Sequence, residues 1–128
     1  MNGATLLLRQ VHPSFIQQGR VTSQAFRPTP KDQQQLSMYD GDQIEPEPAY
    51  VHYTETLNFS SVGVLAVTVA ECGELDLPVV AAPEPFPEHV LVDYSAFDKR
   101  EVESKAKLLK AKAMTRDWLY GPVSTRDL

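Results

Sequence analysis

Arg9, Ser23, Tyr39 and Glu71 are of types that could recognise a phosphorylated ribose. Arginine binds phosphate through two parallel N–H donors, and a carboxylate accepts ribose hydroxyls. The same residues also suit plainer work: Arg9 offsetting nearby acids, Ser23 and Tyr39 satisfying hydrogen bonds at strand edges. Other chemistry is poorly served. His12, His52 and His89 are far apart in sequence, none at a ligand spacing from another, so no metal is expected. Asp40-Gly41-Asp42 lacks the later bidentate glutamate of a calcium loop and reads as a turn. Cys72 is the single cysteine, which excludes an intramolecular disulfide and a cysteine-built zinc site. It reads as a buried structural thiol. There is no G-x-S-x-G elbow, P-loop or G-x-G-x-x-G loop, so no nucleotide cofactor is expected on those grounds.

In order and type, Arg9, Thr22-Ser23, Tyr39 and Glu71 resemble the NAD-cleaving toxins of the ADP-ribosyltransferase-like and RES-domain classes. The resemblance implies an arginine on phosphate and a glutamate orienting ribose. The glycine-rich RES signature is missing, and the chain is short for that fold.

Charge gives the other reading. The net charge of −5 is strongly segregated. Residues 1–31 carry four cations and no acid, whereas residues 32–98 carry 13 acids and neither lysine nor arginine. Residues 99–116 then hold seven cations against Glu101 and Glu103. Either the acidic middle folds against the basic ends and the field cancels, or an acidic face persists and steers a basic protein partner. On the second alternative Asp40, Asp42, Glu45, Glu47 and Glu55 supply the field, and exposed Tyr50 and Tyr53 supply the anchors. The sequence pI near 5.1 disfavours nucleic acid as the partner.

The elements that position these residues follow from pattern. Residues 5–11 read as a strand stopped by Pro13, and residues 20–26 as a second strand joined to it as a hairpin. Residues 27–35 read as a loop and 36–39 as a short strand. Tyr50, Tyr53, Thr54 and Leu57 recur on one helical face, with Pro46 and Pro48 fitting a first turn. The β-branched, uncharged run 62–69 predicts a central strand buried on both faces. Residues 71–75 predict a helical turn or two, 77–80 a strand, 81–88 a polyproline-like connection, and 89–94 a strand. Asp98 and Glu101 have capping-box spacing, and Val102, Ala106, Leu109 and Ala113 then form the apolar stripe of a long helix. Trp118, Leu119 and Tyr120 anchor its end before Gly121-Pro122.

The prediction is an α+β fold: a small mixed sheet packed by a C-terminal amphipathic helix, as one domain over residues 1–120 with a tail over 121–128. No apolar run approaches the about 20 residues of a membrane span, and no signal peptide is read at the N-terminus. A cytoplasmic location is expected, with the oligomeric state open.

Arg9-Gln10-Val11-His12-Pro13, residues 19–26 (GRVTSQAF) and Leu36-Ser37-Met38 resemble a group of small bacterial proteins without an established activity. The stretches 64–72 and 83–90 are similar to them more loosely. The resemblance implies a bacterial or phage origin and an accessory role in a toxin, defence or mobile-element locus. The expectation is therefore a non-catalytic protein-binding module, with a small NAD- or nucleotide-acting enzyme as the alternative.

Overall fold

Consecutive buried leucines, Leu7 and Leu8, open the first strand, β1 (Leu6–Gln10), and in a strand such neighbours face opposite ways. Both faces of the sheet must therefore be covered. The computed structural model describes residues 1–29 and 33–124. After β1 come a two-stranded ribbon of β2 (Ile16–Gln17) and β3 (Arg20–Val21), then β4 (Gln35–Asp40) and α1 (Pro46–Val51). Next are β5 (Val64–Thr68), α2 (Val69–Glu74), β6 (Val79–Ala81), β7 (His89–Asp93) and α3 (Lys99–Arg116). The main sheet runs β5-β1-β4-β7-β6. The α+β class holds, but every pairing is antiparallel, where a mixed sheet was expected.

One face of the sheet carries Leu7, Leu36, Met38, Leu65, Val67, Val90 and Val92. Against it lies α3, through the expected stripe of Val102, Ala106, Leu109 and Ala113. Its N-terminus closes with the expected capping box: the Glu101 amide donates to Asp98 Oδ1 at 2.9 Å, and the Asp98 amide to Glu101 Oε1 at 3.4 Å. The other face carries Leu8, Tyr39, Val64 and Ala66, covered by α1 through the fully buried Ala49.

Two predicted strands differ. Residues 20–26 do not pair with β1; only Arg20–Val21 is extended, against Ile16–Gln17, and Ser23–Phe26 is a 3-10 helix. Ala25 and Phe26 are both fully buried, and a helical turn lets adjacent side chains reach one core, which a strand would not. β5 is buried on both faces as expected but lies at the sheet edge rather than its centre. The chain after α3 covers that edge. The Val64 amide donates to Tyr120 O and the Leu119 amide to Val64 O, both at 2.9 Å, and the Val123 amide donates to Val62 O at 2.7 Å. Gly63 permits this approach, since a Cβ there would stand 2.5 Å from Tyr120 O. The start of the expected tail is thus tied through Val123 to Val62, just before β5; residues 125–128, and residues 30–32 of the expected loop, lie outside the described residues.

Candidate functional site: the acidic aromatic face

Pro46 at the first helical position starts α1, and Glu47 in its first turn suits the helix dipole. The segment continues as a π-helix over His52–Thr56, with the Thr54 hydroxyl donating to Tyr50 O at 2.8 Å. The wider turn sets His52 over the sheet, where it shares a 2.8 Å hydrogen bond through Nδ1 with the Tyr39 hydroxyl. Phe86 stacks on Tyr39 at 4.9 Å and packs against His52 at 4.8 Å and His89 at 5.0 Å. Burial, reinforced by Tyr53 and Glu88, pushes the Tyr39 phenol well above its ordinary range, so it stays protonated.

Beside it, His89 is tied on both sides of its ring. Nδ1 faces Ala82 O at 2.9 Å and Glu84 O at 3.1 Å. Carbonyls only accept, so Nδ1 bears the proton, and in the neutral ring Nε2 accepts from the Ser37 hydroxyl at 3.0 Å. A hydroxyl backed by an oriented imidazole is half of a nucleophilic site. The other half is missing from the strand itself: Ser37 lies mid-strand in β4, opposite Leu91 of β7, with its carbonyl taken by Arg9 Nη1, and an extended strand does not aim successive amides at one oxyanion. The pair instead anchors the 82–88 connection, whose prolines are exposed as expected while Phe86 turns inward and is half-buried. Sequence reading missed this set. Its signal was the alternation of Ser37 and Tyr39, but the pairing of Tyr39 with His89 is a matter of register.

Of the four residues of the enzyme alternative, Arg9 and Tyr39 lie on opposite faces of the sheet, whereas Arg9 reaches the 3-10 helix that Ser23 opens. Arg9 donates from Nε to Ala25 O at 2.6 Å and from Nη1 to Ser37 O at 3.0 Å. It follows Leu8, the cross-strand neighbour of Tyr39, so Arg9 and Tyr39 point to opposite faces. Ser23 opens the 3-10 helix. Glu71 is doubly engaged: it closes a capping box with Thr68, and Arg116 grips it at 2.8 and 3.0 Å. Partial burial pushes its pKa up, but hydrogen bonds from Arg116 and Thr68 and the guanidinium charge outweigh this and hold it below its ordinary value. Burial, with Glu71 nearby, pushes the Cys72 thiol up to about 12, far from a nucleophile's range.

The residues expected to bind a partner divide in two. Asp40 is 4% exposed, and its carboxylate accepts from the Asp42 amide at 2.9 Å and the Gln43 side chain at 2.8 Å; it holds the turn and cannot steer a partner. Asp42 is exposed but accepts from the Thr5 hydroxyl at 2.6 Å. Tyr50 and Tyr53 are half-buried rather than exposed, because their rings pack on Tyr120 at 4.8 Å and Phe59 at 5.2 Å. Glu45, Glu47 and Glu55 are exposed. Two apolar residues that sequence reading passed over are also exposed, Val51 at 41% and Phe59 at 56%.

Among the described residues no group of three or more His, Cys, Asp or Glu is placed to hold a metal, and no helix is long and apolar enough to cross a membrane. Comparison with models of protein families, with curated proteins and with solved structures finds no match to this chain.

Proposed function

We propose that this chain is a non-catalytic accessory protein that docks a basic protein partner through its α1 face, in a bacterial or phage locus of the toxin, defence or mobile-element kind. The observation that carries the reading is the separation of charge across the sheet. Residues 33–98 hold no lysine or arginine, so Glu45, Glu47 and Glu55 have no cation near them in sequence. Seven cations sit on α3, against the opposite face. Glu71 is the one acid of residues 33–98 in an ion pair among the described residues. The field therefore does not cancel on the α1 side. Exposed Phe59, with Tyr53 packed on it, gives this rim an apolar centre, the layout in which rim charge steers and buried side chains hold.

The test is capture from a host lysate at low salt by three proteins: the wild type, Glu47→Lys/Glu55→Lys, and Lys107→Glu/Lys112→Glu as a control on the other face. The reading expects a basic protein held by the wild type and the control, released by salt and lost from the first variant. For a purified pair, its association rate should fall by about 10-fold or more at low salt. Equal capture by all three proteins would refute it.

A further inference from the structure

Four separated stretches of chain converge on a cavity of about 410 Å³ at the far end of α3. Ile16 and Val21, cross-strand partners in the small ribbon, form one wall, and Val62 before β5 forms the floor with them. Met114 and Lys110, one turn apart on α3, form the second wall. Trp118 and Val123, from the segment clasped to the β5 edge, complete it. The volume falls in the range of small-molecule sites, and apolar walls with a few convergent polar groups are their usual make-up. Met114 adds an adaptable, polarizable surface.

The polar groups here are of one kind. The charged side chains lining the cavity are Arg20 and Lys110, with no acid beside them. Neither forms an ion pair among the described residues. Their charges come from different elements, the ribbon and α3, and meet only through the tertiary fold. A wholly apolar guest would leave both charges unused, and a small polar anion such as a sugar phosphate would leave the apolar walls unused. We propose that this cavity is a binding site for a small amphiphilic organic anion: an aromatic or aliphatic body against Trp118, Met114 and Val21, with a carboxylate or sulfonate head near Arg20 and Lys110. The site is independent of the α1 face and stands whether or not that face docks a protein.

Trp118 is the single tryptophan of the chain, so its fluorescence reports directly on the cavity. The experiment titrates the full chain with 8-anilinonaphthalene-1-sulfonate and, separately, with N-phenyl-1-naphthylamine, which has the same rings without the sulfonate. Saturable 1:1 binding of the sulfonate with energy transfer from Trp118 is expected, tenfold or more tighter than the neutral probe. Arg20→Gln/Lys110→Gln should abolish that preference while leaving the neutral probe unaffected. Both positions are at least partly solvent-exposed, so folding should survive; circular dichroism checks this, and single Lys110→Glu, which also brings the lining charge to zero, provides a second variant that should likewise remove the preference. Equal affinity for the two probes, no change in Trp118 emission, or an unaltered preference in the folded variants would overturn the assignment.

Discussion

The two faces of the sheet are built on different terms. The α3 face is a broad apolar contact, with an eighteen-residue helix laying four buried side chains against β5 and the 3-10 helix Ser23–Phe26 within the larger core cluster. The α1 face is small, with five buried residues, and is finished by rings and polar pairs: Tyr39 with His52, Ser37 with His89, and Phe86 between them. The first face is where the fold obtains most of its stability, since apolar area removed from water is the largest favourable contribution. The second has less to lose by presenting Val51, Phe59 and its acids outward. Stability and the proposed docking surface are thereby assigned to opposite sides of one sheet.

The sharpest way to break this division is to truncate each side. Leu109→Ala, at a fully buried position on α3, is expected to cost about 3 kcal/mol in urea unfolding. Phe59→Ala, at an exposed position, should cost about 0.5 kcal/mol or less while removing partner capture. Comparable costs at the two positions would erase the distinction. Next in size is Gly63→Ala, whose new Cβ would collide with Tyr120 O and the Trp118 ring; a loss of about 2 kcal/mol and a change in Trp118 fluorescence are expected as the clasp loosens.

Smaller effects sharpen the account of Glu71. Its pKa is held below the ordinary value, so its contribution is present above the ordinary carboxylate range and is lost as pH falls through the lowered native pKa. Glu71→Gln should therefore be less stable than the wild type by about 1–2 kcal/mol near neutrality, the range of a helix cap or a charged hydrogen bond. The gap should narrow as the solution is acidified below the ordinary value of 4.5. A gap that is constant with pH would show that the ion pair with Arg116 contributes nothing. The smallest perturbation uses Cys72, whose thiol burial pushes up to about 12. Native protein at pH about 8 should react with a thiol reagent at least about 100-fold more slowly than unfolded protein, because reaction must wait for opening.

The sequence was most informative where a pattern is local. The capping box of Asp98 with Glu101 and the stripe from Val102 to Ala113 are set within a few turns of helix, and both are present. Prolines at 46 and 48 likewise announced the start of α1. It was least informative where partners are distant. The alternation in residues 20–26 is real, yet Arg9 Nε takes Ala25 O, and adjacent Ala25 and Phe26 are drawn into one core. The uncharged run of β5 is equally compatible with a centre or a covered edge, and only the returning segment near Tyr120 decides. The burial of Asp40, which removes it from the steering acids, does not show in a turn motif. The Ser37–His89 pair depends on the register of β4 against β7, which no single segment encodes.

If the α1 face, and not the basic α3 face, meets the partner, hydrogen exchange on the purified complex should differ from that of the chain alone on one side only. Slowed exchange confined to residues 45–59, with the amides of α3 unchanged, is the expected result. Protection along Lys99–Arg116 with residues 45–59 unaltered would place the partner on the other face.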